Sequence, residues 1–495
     1  MIDKIQLKED KVVAWLLLAF STILILFSSG FSPIYGFNDW PDVNVYFNIG
    51  RAMMDGQVLY KDIFDHKGSF IFLLYGFGSL IPCFVGILLI QITFFFVSLW
   101  FVYKIGCLYL GRVYAFFVAV VYSLYFLLYN GSGGSAEELA LPFFLISFYF
   151  FLKYVQKGGV HDPFWMLIHG MMVSFVFFIK LNLVGFWIFV PMFFIYFLIK
   201  KDYHLILRNL ITLVLGAFLV VTPTFFYFYF TDSLYDFYHS YIDFNLLYGL
   251  SSIDYAFFIE LISQFFKFSI SHYMLMGVVL LGLCMFAISK RFVQGWGLKL
   301  ILLSTFIATF CVVFMSPAVF GYYYMPLTVF TILGIVFVIY YFLEKKRRLE
   351  FSMVYTAGTA AMVLVVLITF LNKKDKVQSD LKRDFITSFA AEIKKEPKNK
   401  QTLLCLGLNS GVCLFTEADI MPTVKYFFTP NIKKEVYPAI NDAQRAYIEN
   451  KALTFVIVRD KFRDYQTLLP YLQANYDIKK TYSIGEQVYY LYKRK

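Results

Sequence analysis

The chain has 495 residues, of which 60% are hydrophobic, and a net charge of +11. Ordinary globular domains are roughly 45–50% apolar, so the composition argues against a conventional soluble globule. The Lys and Arg residues fall in short segments between apolar runs, which argues against nucleic acid as the partner, and the 61 Phe and 38 Tyr suit interfacial belts and large apolar cavities.

Runs of about 20 apolar residues have the length at which a helix crosses the ~30 Å hydrocarbon layer. The first, at 12–30, follows a charged segment, 1–11; it is too long for a signal peptide and has no small-residue cleavage site, so it reads as a retained helix. A polar loop, 31–68, comes next. The apolar stretch after it, 69–83, is short and interrupted by Gly76, Gly78 and Pro82. Further spans are expected at 84–104, 113–130, 138–154, 164–180, 182–200, 207–230, 272–289, 298–316, 323–343 and 352–371.

Whether 69–83 crosses decides the side of everything downstream. If it does not, and the N-terminus is cytoplasmic, the cytoplasmic loops hold Lys104 and Arg112, Lys153 and Lys157, Lys200, Lys201 and Arg208, Lys290, Arg291 and Lys299, and Lys345–Arg348. The opposite loops near 131–137 and 317–322 contain no Lys or Arg. That asymmetry is the positive-inside pattern, and it inverts if 69–83 crosses. The expectation is an α-helical polytopic membrane protein with about eleven transmembrane helices in residues 1–371, 69–83 being a re-entrant or interfacial helix. The cell membrane is the expected location, with the C-terminus outside.

From Asn372 the composition changes. Short apolar runs, Thr402–Leu408 and Thr454–Val458, read as strands, and 380–396, 441–451 and 463–474 read as helices. Residues 372–495 therefore form an expected extracytoplasmic α/β domain. Cys83, Cys107, Cys284 and Cys311 lie in apolar surroundings; Cys405 and Cys413 are within reach of pairing but read as free thiols.

The first outer loop concentrates ionisable residues: Asp39, Asp42, Asp55, Asp62, Asp65, His66 and Lys67. Asp42, Tyr46 and Ile49 share a face at helical spacing, and Asp42 follows Pro41 at a helix start, where the helix dipole favours the ionised carboxylate. The plain alternative is that Asp42 only caps the helix. In the second outer loop, Glu137 and Glu138 stand at the mouth of a span and read either as caps or as functional acids. Lys180 lies at the outer end of another span, where an ionisable residue is a functional candidate and a snorkelling lysine the alternative. Tyr322, Tyr323 and Tyr324 form either an aromatic belt or part of a site. His161, His169 and His204 fall near cytoplasmic loops and read as structural. Asp232, Asp236, His239 and Asp243 sit on an amphipathic outer segment; Asp236 and His239 alone do not make a metal site. Acids, a lysine and tyrosines above apolar helices suit a ligand with an apolar tail and a phosphate head.

At these residues the chain resembles the GT-C superfamily of polyprenyl-phosphate-sugar glycosyltransferases, in its protein O-mannosyltransferase and aminoarabinose transferase branch. The carrying residues are Asp42 with Tyr46, the Gly50–Gly56 stretch, Leu59–Asp62, and His66–Gly68 before the short apolar segment. Val43 stands where that family often has Glu, and Gly68 and Ser69 where two prolines are common. The resemblance implies a GT-C-like fold with Asp42 as catalytic carboxylate and Lys67 on the donor phosphate. It further implies Glu137 or Glu138 as the second-loop acid, and Lys180 and Tyr322–Tyr324 near the phosphate. Asp39, Tyr46, Asp62, Asp65 and His66 take supporting positions.

The expected function is transfer of a sugar, with inversion, from a polyprenyl-phosphate donor to a glycan, lipid or protein acceptor at the bilayer's outer face. No cofactor is required by any motif, and a divalent metal stays open. A lipid-linked-glycan flippase is the rival reading. It calls for internal repeats and charged pairs near the bilayer centre, and the sequence shows neither. A non-catalytic scaffold would explain the C-terminal domain but not the acidic first loop.

Overall fold

The computed structural model describes residues 2–35, 38–82, 84–129, 131–158, 162–250, 255–314, 320–344, 356, 358–369, 380–432 and 434–495. Cys83, His161, Lys345–Arg348, and the beginning of the expected outer domain at 372–379 lie outside these residues. The first helices in chain order are α1 (Ile2–Ser28), α2 (Pro41–Met54), α3 (Ser69–Ser79), α4 (Val85–Tyr109), α5 (Arg112–Leu128), α6 (Ala136–Gln156) and α7 (Pro163–Phe177). The chain divides into two compact units that do not follow chain order. One holds residues 1–29, 88–225 and 252–372, the other 30–87, 226–251 and 373–495.

The first unit is helical. Each expected apolar stretch within it carries a helix. Among the described residues, six helices are long and apolar enough to cross a membrane. The number becomes eight if each of two bent pairs, Ile259–Ser271 with Tyr273–Ile288 and Gly321–Thr328 with Thr331–Phe342, counts as one span. The stretches at α5, α7 and Gly358–Thr369 fold as shorter apolar helices. The protein is thus a multi-pass membrane protein.

Small residues let these helices touch, as expected where lipid supplies no hydrophobic drive between them. A Cβ on Gly282 would lie 2.3 Å from the Gly334 nitrogen, so helices Tyr273–Ile288 and Thr331–Ile339 cross there backbone to backbone. Aromatic rings fill the rest: Phe144 stacks on Trp187 with centroids 5.3 Å apart, and the Trp187 indole donates to Ser147 at 3.0 Å. At the far end of α1, Asp10 accepts from the Tyr103 hydroxyl (2.7 Å) and the Arg112 guanidinium (2.9 Å), tying α1 to α4 and α5.

The second unit joins the first loop to the C-terminal residues. Its sheet has the order β1 (Leu403–Leu406), β2 (Phe455–Arg459), β4 (Gln487–Arg494), β3 (Tyr476–Ile484). β1 and β2 are parallel, with Leu403 opposite Phe455, and the other pairs are antiparallel. Helices Asp380–Lys394, Ala439–Glu449 and Tyr465–Asn475 accompany it, close to the expected segments. The two apolar runs became β1 and β2. The β3–β4 hairpin was not expected; in β3, Asp477, Lys479 and Lys480 interrupt the apolar residues. Cys405 and Cys413 are buried free thiols.

Phe64 of the first loop packs into a core with Phe244, Ile432 and Ile440. The loop is therefore part of this unit's folding core and not a loose connector. Within it α2 and α3 cross at Gly50 and Gly76, where a Cβ on Gly50 would come within 2.4 Å of the Gly76 nitrogen. α3 has 11 residues and rises only about 16 Å, well short of a bilayer crossing.

Candidate functional site

The polar residues of the first loop are organised by α2. Pro41 occupies its first turn, where a missing N–H costs nothing and the fixed φ suits the helix. Asp42 is the acid of that turn, half-buried, where the positive end of the helix dipole favours a carboxylate. The cap position belongs to Trp40, whose own side chain makes no capping hydrogen bond.

Asn44 closes this end of the helix from within. Its side-chain amide donates to the carbonyls of Asn38 (2.8 Å) and Trp40 (2.9 Å). Asp39, exposed, forms an ion pair with Lys382 at 2.9 Å. Tyr46 is buried with its ring edge-on to Phe72 and Tyr75 of α3, so its ring serves packing.

The turn after α2 aims the next residues. Tyr60 adopts a left-handed φ of 66°, held by a ring fully buried against Phe228 (5.6 Å) and Tyr241 (6.4 Å). Burial pushes its hydroxyl well above the usual phenol range, so it stays a donor, and it bonds the Lys67 carbonyl at 2.5 Å. Asp62 shapes the turn by accepting from the Val58 N–H at 2.8 Å, and it points to solvent.

Asp65, His66 and Lys67 form a line. Asp65 is 3% exposed and accepts from the backbone N–H groups of His66 and Lys67, with the His66 Nδ1 at 3.1 Å. Burial works to raise the Asp65 pKa. The hydrogen bonds from His66 and the charge of Lys67 outweigh it and hold the carboxyl below its ordinary value. The Lys67 ammonium lies 2.7 Å from His66 Nε2. An ammonium can only donate, so Nε2 carries the lone pair and the proton sits on Nδ1, towards Asp65. Asn245 fixes the backbone here by donating to the His66 carbonyl at 2.7 Å, and Phe244 stacks on the imidazole at 5.1 Å.

In the first unit the second loop separates its two acids. Ser135 caps α6, accepting from the Glu138 N–H at 3.1 Å, and the Glu138 carboxylate turns back to accept from the Gly134 N–H at 2.9 Å. This is close to the reciprocal Ser-x-x-Glu arrangement. The same carboxylate accepts from Gln91 at 3.0 Å, and Gln91 from Ser29 at 2.6 Å, all three buried. Glu138 is thereby a structural tie between α1, α4 and α6.

Glu137 faces Lys180 instead, at 2.6 Å, with side chains 2% and 13% exposed. Lys180 sits in an extended link (φ −157°, ψ 116°) between α7 and the 3-10 segment Leu181–Ile188, and its ammonium lies 3.9 Å above the Tyr323 ring. The structure thus brings Glu137, Lys180 and Tyr323 together, and Lys180 is a buried ion-pair partner in place of a snorkelling side chain. Tyr322 stacks on Phe320, and Tyr324 packs on Phe268 and His272.

His239 pairs with Asp243 (2.7 Å) and Asp236 with Lys425 (2.8 Å), so those two acids and the imidazole have other partners. No group of three or more His, Cys, Asp or Glu residues that could hold a metal occurs among the described residues. Sequence reasoning passed over Gln91 and Asn48, and gave Asn44 and Tyr60 no role beyond their place in the motifs. Asn44 and Asn48 carried a signal: two amides at helical spacing among Val43, Val45, Phe47 and Ile49.

The fold is that of ArnT from Cupriavidus metallidurans. The crystal structure bound to undecaprenyl phosphate superimposes with a TM-score of 0.60 at 12% identity over 97% of both chains. The apo state gives 0.55 at 11% identity, again over 97% of both. The protein is therefore a multi-pass membrane protein of the GT-C fold. No curated protein matches the chain. The family profile of the competence-induced protein Ccs4 N-terminal domain matches residues 2–374, and the chain belongs to that family.

Proposed function

We propose that the protein is a membrane glycosyltransferase that moves a sugar from a polyprenyl-phosphate donor to an extracytoplasmic acceptor of the cell envelope. Asp42 takes the proton of the acceptor hydroxyl as its oxygen attacks the anomeric carbon. The bond from that carbon to the phosphate oxygen breaks, polyprenyl phosphate departs with the electron pair, and the configuration inverts. Lys67 offsets the charge growing on the departing phosphate, a contact worth roughly 2–4 kcal/mol of barrier.

The observation that carries this reading is the setting of Lys67. Its ammonium is placed 2.7 Å from the His66 Nε2, while the nearby Asp65 carboxylate is taken up by the backbone N–H groups of His66 and Lys67. The likeness in fold to a structure holding undecaprenyl phosphate supports the donor class. Lys180 is assigned to Glu137, which it neutralises, over the Tyr323 ring.

A transfer assay with a radiolabelled undecaprenyl-phosphate hexose and a membrane-fraction acceptor tests the reading. Label incorporation lost in Lys67→Met supports it. Lipid movement across the bilayer without bond formation would favour a flippase and defeat it.

A further inference from the structure

Thr416, 372 residues downstream of Asn44, meets α2 through a single hydroxyl. Its Oγ1 donates to the Asn44 Oδ1 at 2.9 Å and accepts from the Asn48 Nδ2 at 3.0 Å. Asn44 and Asn48 are 2% and 1% exposed, so these amides have no bulk water to turn towards. A hydroxyl donor demands an acceptor opposite it, and that fixes which way the Asn44 amide faces. Its oxygen points to Thr416, and its nitrogen is left to hold the Asn38 and Trp40 carbonyls immediately before Asp42. Asn48 also donates to the Asn44 carbonyl at 2.7 Å, closing the network.

Two ion pairs flank this contact within the same unit. Lys382 holds Asp39 ahead of the helix, and Arg51 reaches Asp419 at 2.6 Å beyond it. The short helix Cys413–Glu417, which carries Thr416, is itself anchored by the fully buried Leu414 and Phe415. α2 is thus gripped on one side by the Gly50–Gly76 crossing and on the other by C-terminal residues.

We infer that Thr416 is a positioning residue for catalysis: the C-terminal α/β residues set the start of α2, and with it the Asp42 carboxylate, through the Thr416 hydroxyl. This rests on the proposed role of Asp42. It gives the C-terminal residues a task within the reaction that a tethered accessory domain would not have. The dependence is steep, because misplacing a reacting group by about 1 Å costs on the order of 100-fold in rate.

The test uses the full chain as Thr416→Val, which keeps shape and removes the hydroxyl, with Thr416→Ser, which restores it. Thr402→Val is the control: Thr402, just before β1, bonds Thr454 at 3.3 Å. With undecaprenyl-phosphate hexose as probe, Thr416→Val lowers kcat by roughly 10- to 100-fold with donor KM little changed. Thr416→Ser stays near wild type, and Thr402→Val keeps its kcat. Wild-type kcat in Thr416→Val alongside a dead Asp42→Asn overturns the inference while leaving the proposed function standing. If Asp42→Asn transfers normally, it is the functional reading that fails. Backbone amide exchange then decides the positioning by itself: faster exchange over residues 42–48 in Thr416→Val than in Thr402→Val supports it, and equal exchange overturns it.

Discussion

The Lys180 ammonium lies 2.6 Å from the Glu137 carboxylate, and both side chains are almost wholly withdrawn from solvent. Removing one partner of such a pair strands the other charge, at a cost of about 3–5 kcal/mol. Glu137→Gln or Lys180→Met should therefore lower the thermal midpoint strongly. The double substitution should recover much of the loss, because no charge is left unmatched. Additive losses in the double variant, read by thermal unfolding in detergent, would contradict a coupled pair.

Glu138 behaves differently because its partners are neutral donors. Glu138→Gln keeps an acceptor oxygen for Gly134 but turns an amide nitrogen towards the Gln91 donor, so it should lower the midpoint less than Glu138→Ala in the same melts. Glu138→Ala loses the tie to both Gly134 and Gln91, leaving buried donors unmatched at about 1–3 kcal/mol each. Equal midpoints for the Gln and Ala variants would show that the hydrogen bonds carry no weight.

Asp65 predicts a pH dependence. Its carboxyl is held below the ordinary value in the fold, so its contribution to stability is present above the unfolded value, near pH 4, and is lost as pH falls through the folded one. Asp65→Asn should destabilise the protein at neutral pH, and the gap from wild type should shrink as the pH falls below about 4. A gap that stays constant down to the acid limit of folding would contradict this.

The crossing of α2 and α3 leaves no room for a methyl group at Gly50, whose Cβ would meet backbone and not a yielding side chain. Gly50→Ala should cost about 1–3 kcal/mol by forcing the helices apart, and it should lower transfer because α2 carries Asp42. An unchanged midpoint would show that the crossing is looser than described.

Much of this was legible in the sequence for definite reasons. The start of α2 announced itself through Pro41 and the helical spacing of Asp42, Tyr46 and Ile49, and every expected apolar stretch carries a helix. The helix Tyr255–Ser271 was passed over because Glu260, Gln264 and Lys267 interrupt its apolar pattern. The ionic partner of Glu137 lay 43 residues away, and spacing carries no information on a contact made only by tertiary packing. The same holds for Thr416 and Asn44. The first loop looked like a free polar segment, yet Phe64 belongs to a core completed by Ile432 and Ile440.

The central claim is that Asp42 activates the acceptor, and Asp42→Asn tests it most directly. Asn has nearly the same shape and cannot take up the proton, so the fold should persist, with an unchanged thermal midpoint and elution volume. Transfer from undecaprenyl-phosphate hexose should fall to background. Transfer by Asp42→Asn at the wild-type rate would contradict the account.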